Sequence, residues 1–203
     1  MSDRRTEIVR AATRVIARRG VRGLRVGELA SEAGVSTALI YYHFTDRAGI
    51  LRETLAFIGE RADRYTAEPD PENAARGHRA QQSPRSELEQ ALLLELQNSA
   101  EVRENSTAWG ELRASAVFES SLRDDLARAT HTWVHEIAEL LGRAHPAGTA
   151  PAHAASAERL TALLEGLSVR WLSGSLPLDR ARTLLGEAVD AEMAGCRPVG
   201  IRP

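Results

Sequence analysis

The sequence predicts an all-α protein, with an N-terminal three-helix helix-turn-helix domain over residues 1–47 and a larger helical domain over 48–203. Three observations lead there. Apolar residues recur three and four apart, the period of one helix face, with no alternating run and no Asn-Gly hairpin turn. Glycine, proline and polar clusters interrupt that period at helix-length intervals. Residues 25–51, RVGELASEAGVSTALIYYHFTDRAGIL, read as two short helices joined by a tight turn and followed at once by the start of another.

The first helix runs from about Thr6 to Arg19. Ile8, Ala11, Ala12, Val15 and Ile16 form its inner stripe, and Gly20 ends it. The next two helices lie near 26–33 and 37–43. Leu29 and Ala30, one turn before Ala33, give the earlier one a small apolar face, and Ala30 is small where two helices cross closely. Gly34 ends it, because a left-handed C-terminal position costs glycine almost nothing. Ser36 caps the following helix by accepting from a free backbone N–H, and Leu39 and Ile40 fall on its inner face. Either Thr45 or Asp46 caps a fourth helix from about Arg47 to Tyr65, with Leu51, Leu55 and Ile58 inward.

Residues 68–85, EPDPENAARGHRAQQSPR, carry three prolines among many polar residues and predict a mobile loop. Beyond it the pattern predicts helices near 86–98, 102–118, 120–144, 155–174 and 179–194, with a loop over HPAGTAPAHA at 145–154. Either Pro177 or Asp179 opens the last helix.

Charge is divided unevenly. Residues 1–25 hold eight arginines against Asp3 and Glu7, whereas the whole chain carries a net charge of −2. A basic end leading into a helix-turn-helix is the electrostatic footprint of a nucleic-acid binder. Cys196 is the sole cysteine, so no internal disulfide forms, and no apolar run approaches the roughly 20 residues of a membrane span. The N-terminus MSDRRTEIVR has no apolar signal core. These features predict a cytoplasmic protein.

The outer face of the second motif helix carries Thr37, Ala38, Tyr41, Tyr42 and His43. It is short, polar and aromatic with no acid, which suits the floor of a DNA major groove. Tyr41 and Tyr42 point about 100° apart, so one buried stripe does not easily take both. A hydroxyl that reaches a phosphate suits at least one of them.

With Leu29, Ala30, Ala33, Gly34, Val35, Ser36, Tyr41, Tyr42, Phe44, Arg47 and Leu51 in place, the stretch resembles the DNA-binding domain of the TetR family of transcriptional regulators. The resemblance extends upstream to Ile8. It implies DNA contacts by Arg25, Ser36, Thr37, Ala38, Tyr41, Tyr42, His43 and Arg47, with Thr37 and Ala38 nearest the bases. Two positions depart from the family pattern: Arg47 stands where lysine is usual, and Arg25 where threonine or serine is usual. The segments WGELRASAVFESSLRDDL and LTALLEGLSVRWLSGSLPLDRARTLLGEAV resemble the ligand-binding domain of the BetI-like branch. That resemblance implies a homodimer in which the last two long helices pair with their twins. Leu160, Leu163, Leu164 and Leu167, with Leu184, Leu185 and Ala188, are the expected interface, although one subunit could bury such stripes by itself.

For the effector, Trp109, Arg113, Trp133, Glu165 and Trp171 are the candidates, since tryptophan beside a carboxylate suits a cationic ligand. The competing reading is that a Trp on a helix stripe simply packs. His131 and His135, four apart, have the spacing of two metal ligands, but no third ligand accompanies them. No metal, cofactor or catalytic residue is expected: there is no Gly-rich phosphate loop, no G-x-S-x-G and no H-E-x-x-H. The sequence therefore predicts a ligand-responsive, non-enzymatic regulator that binds double-stranded operator DNA. The resemblance implies repression relieved by a small-molecule inducer. An activator on the same fold, or a ligand-binding protein with vestigial DNA binding, are the alternatives.

Overall fold

A computed structural model describes residues 3–67 and 83–195. Within them the chain is all-α, as the periodicity predicts. The helices are α1 (Arg4–Gly23), α2 (Val26–Ala33), α3 (Thr37–His43), α4 (Arg47–Ala67), α5 (Pro84–Leu93), α6 (Ala100–Ala116), α7 (Arg123–Ala144), α8 (Ala150–Leu172) and α9 (Leu178–Gly195), with a 3-10 turn at Ser120–Leu122. Cys196 and residues 68–82 of the expected loop lie outside the described residues. Ser83, Pro84 and Arg85, the rest of that loop, instead open α5: Ser83 caps it and Pro84 takes the first turn, where a missing N–H costs nothing.

Helix boundaries follow side-chain chemistry. Asp3 caps α1 and Ser36 caps α3, its Oγ accepting from the Leu39 N–H at 3.2 Å. Asp46, rather than Thr45, caps α4, its carboxylate accepting from the Gly49 N–H at 2.7 Å. Gly20 breaks α1 at φ 69° and ψ 172°, and Gly34 ends α2 at φ 65°. The expected loop 145–154 is shorter than predicted. Thr149 caps α8 and Pro151 sits in its first turn, so five residues that read as loop are helix.

Two compact units divide the chain. One gathers the described residues of Met1–Asp63 and Ser99–Thr130, the other those of Arg64–Asn98 and His131–Pro203. This division is one of packing and differs from the 47/48 cut, because the first unit extends past residue 47 and takes in α6, which packs on α1. In the first unit α1 packs against α2 and α6. Its core holds the predicted stripe Ile8, Ala11, Ala12, Val15 and Ile16, with Leu29, Ile40, Phe44, Leu51, Leu55 and Ile58, and adds Ala108, Leu112 and Leu122. In the second, α9 packs on α8 and α5 around Leu88, Leu92, Leu141, Leu160, Leu164, Leu167 and Leu185.

Candidate nucleic-acid interface

The face that emerges from α3 is set by one buried residue. Ile40 is 0% exposed, which fixes the helix rotation and turns its neighbours outward. Tyr42 is 82% and Tyr41 60% exposed, and Thr37 and Ala38 are exposed at the N-terminal end. His43 is half-buried, edge-on to Tyr42 with ring centroids 5.1 Å apart. Large aromatic side chains are seldom left in water without a use. Here two stand side by side on a helix whose first turn carries no acid.

Around that helix the charge is less open than the arginine count suggests. Arg14 and Arg18 both grip Glu32, Arg19 grips Glu28, Arg5 holds Glu53 at 2.7 Å and Arg4 holds Glu7 at 2.6 Å. The hydrogen bond from Arg14 holds the Glu32 carboxyl below the usual carboxylate range, against the opposing effect of its partial burial. Five of the eight guanidiniums counted from the sequence are therefore answered within the chain.

Arg25 stands exposed at the N-cap of α2 and makes no side-chain capping bond. Arg47 opens α4 and is tied at both ends: Nη1 meets Glu119 Oε2 at 2.9 Å, and Nη2 donates to the Val21 carbonyl at 2.8 Å. Glu111, on α6, accepts from the Val21 N–H at 3.3 Å, so both polar atoms of one peptide-bonded residue at the α1 break are held by side chains. Neither Glu111 nor Glu119 was foreseeable, because each partner lies far along the chain.

The effector candidates fall into the two units separately. Trp109 packs on the first core with the Arg113 guanidinium 5.3 Å from its ring centroid, and Arg113 Nη2 donates to the Thr130 hydroxyl at 2.9 Å. A cation thus already covers that ring. Trp171 is 7% exposed within the second core, the packing role sequence reading weighed against a ligand role. Trp133 packs against the same cluster half-buried, and Glu165 is half-buried.

Of the expected dimer residues, Leu160, Leu164, Leu167 and Leu185 are buried within the chain's own second unit, at 3% exposure or less. The other three are more open: Leu163 is 37% exposed, and Leu184 and Ala188 are half-buried. The leucine stripe is broader than one interface, since its centre packs α8 on α9 and only its margin reaches the surface. His131 and His135 are exposed, and His135 lies 3.4 Å from Glu139. Among the described residues no three His, Cys, Asp or Glu side chains gather as a metal would require, and no helix is long and apolar enough to cross a membrane.

Comparison with known proteins agrees with this geometry. Residues 8–54 match the family described as bacterial regulatory proteins, tetR family, and residues 84–194 match the C-terminal segment of the BetI-type transcriptional repressor. No curated protein matches. Among solved structures, the chain is similar to a Rhodococcus sp. protein described as a TetR-family transcriptional regulator. They share 44% identity over 95% of this chain and 100% of that one, with a TM-score of 0.82. It is also similar to a transcriptional regulator from Saccharomonospora viridis solved in complex with choline, at 27% identity over 92% and 95% of the two chains, with a TM-score of 0.74. A transcriptional regulator from Rhodococcus sp. Rha1 shares the fold at 19% identity over 96% and 98%, with a TM-score of 0.78.

Proposed function

The chain belongs to the TetR family of bacterial regulatory proteins, and from that premise we propose that it is a homodimeric repressor that a small cationic molecule releases from a near-palindromic operator. The exposed face of α3 carries the proposal. Tyr41 and Tyr42 stand in solvent beside the buried Ile40, an arrangement that stability alone does not favour. Laid in a major groove, α3 brings Thr37 and Ala38 to base edges and thymine methyls, while Tyr41, Tyr42 and His43 reach the backbone. Ser36 keeps the helix start in place, and Arg25 and Arg47 add charge for phosphates.

In this reading residues 1–47 form the DNA-binding domain, and the remainder binds the effector and builds the dimer. Leu163, Leu184 and Ala188, the more open members of the leucine stripes, are the contacts we assign to the partner copy. Two-fold symmetry matches paired half-sites. The choline held by the S. viridis relative supports a cationic effector. Because Arg113 covers Trp109, the effector's cation is better served by Trp133 and Glu165, with Trp171 as supporting wall. The effector acts through its differential affinity for the DNA-competent and released states, where a coupling of about 1–3 kcal/mol suffices.

The test is titration of the purified protein against DNA from upstream of its own gene, at two salt concentrations. Selective binding that weakens with salt, and release by choline or a related quaternary ammonium, is the expected result. Absence of selectivity on that DNA and on duplexes selected from a random pool would overturn the regulator reading.

A further inference from the structure

Among the described residues, two of the three N-terminal arginines left without an acidic partner line one cleft. With Arg4, Arg5, Arg14, Arg18 and Arg19 answered by the chain's own acids, Arg10, Arg22 and Arg25 have no acidic partner among the described residues. Arg10 stands exposed on α1. Arg22 and Arg25 instead flank one cleft of about 390 Å³, whose third guanidinium is Arg47 and whose floor is Leu24, Leu29 and Ile50. Those three floor residues are 0–3% exposed, so the base of the cleft is apolar and offers an anion no competing acid. A concave site with an apolar base and walls of one sign focuses its field and favours an anion over the dispersed charge of an open helix.

We infer that Arg22 is a phosphate-binding residue, and that with Arg25 it seats a backbone phosphate of the operator in this cleft. The inference rests on the DNA-binding reading above and adds a contact to it. Arg47 is already committed to Glu119 and the Val21 carbonyl, so Arg22 and Arg25 are the cleft's uncommitted donors. A guanidinium fork matches a phosphate bidentately and carries no base information. Arg22 therefore contributes affinity and salt sensitivity without sequence preference.

The experiment measures the binding constant of the full chain for a duplex selected from a random pool, across a salt series, for wild type, Arg22→Ala and Arg10→Ala. Arg10→Ala removes the same charge from the same helix but outside the cleft, and both side chains are exposed, so both variants should keep wild-type stability, which their melting curves check. Each lost phosphate contact lowers the log–log salt slope by about 0.9. The expected result is a slope reduced by about one per bound subunit for Arg22→Ala, an unchanged order of preference among duplexes, and a clearly smaller change for Arg10→Ala. Equal effects of the two variants would show a diffuse field rather than a seat and would overturn the inference. An unchanged slope for Arg22→Ala would also overturn it, while leaving the regulator reading intact. A wild-type chain that binds no duplex selectively would overturn the regulator reading itself and this one with it.

Discussion

Arg47 and Glu119, separated by 72 positions, meet at 2.9 Å, so the guanidinium expected to face DNA is held by a carboxylate of its own chain. A charge so held is available to a phosphate only in proportion to how weakly its partner keeps it. Both side chains are partly exposed, 40% and 31%, which places the pair in the range where water and salt compete effectively.

Replacing Glu119 with Gln should therefore tighten DNA binding and steepen its salt dependence by up to about 0.9 in slope per released guanidinium. The same change in an Arg47→Ala background should do nothing further. Salt titrations of the two single variants and the double variant check this. If Glu119→Gln leaves the slope unchanged, Arg47 is a structural tie and not a phosphate contact.

Tyr42, being 82% exposed, separates recognition from folding. Tyr42→Ala should leave the melting behaviour within about 0.5 kcal/mol of wild type, as surface changes do. It should nonetheless weaken operator binding markedly. Tyr42→Phe discriminates further: loss of binding there assigns the work to the hydroxyl, and retained binding assigns it to the ring.

The two neighbouring leucines of α8 should behave oppositely. Leu164 is 1% exposed, and truncation to Ala should destabilise the second unit by about 2–5 kcal/mol through lost burial and a cavity. Leu163 is 37% exposed, and Leu163→Asp should leave the monomer folded but shift it out of the dimer in sedimentation equilibrium. A dimer unaffected by Leu163→Asp would move the interface off this edge of α8.

Acid should loosen the second unit through Glu192. Arg159 holds this carboxyl below the usual range, burial opposes the shift, and the Ser156 hydroxyl, 2.7 Å away, reinforces it. A carboxyl depressed in the folded state stabilises fully above its unfolded value of about 4.3, and that contribution disappears as pH falls through the folded value. Glu192→Gln should lower stability at pH 7 and flatten the loss of stability below about pH 4.5. Denaturant melts from pH 7 to pH 3 would show both; parallel curves for the two proteins would refute the assignment.

Local chemistry was legible and long-range chemistry was not. Val26–Ala33 and Thr37–His43 follow from Gly34 and Ser36, because a terminating glycine and a capping serine act within three residues of where they stand. The loop expected at 145–154 ran too long for the same reason in reverse: Pro151 reads as a breaker but occupies the first turn of a helix that Thr149 caps. Periodicity identified the leucines of α8 and α9 as an inner face but did not tell a core from an interface, since both demand the same apolar stripe. The arginines were counted correctly as residues and overcounted as free charge. Their partners Glu28, Glu32 and Glu53 lie on α2 and α4, and only folding brings them near.

Gly20 carries a consequence of its own. Its φ of 69° disfavours any side chain, and a β-carbon placed there would lie 2.6 Å from Glu111 Oε2. A single methyl group at this position would push aside the carboxylate that accepts from the Val21 N–H, so the backbone strain would come with the loss of that hydrogen bond. A systematic scan of substitutions would find an intolerant spot here, at a residue that need touch neither operator nor effector.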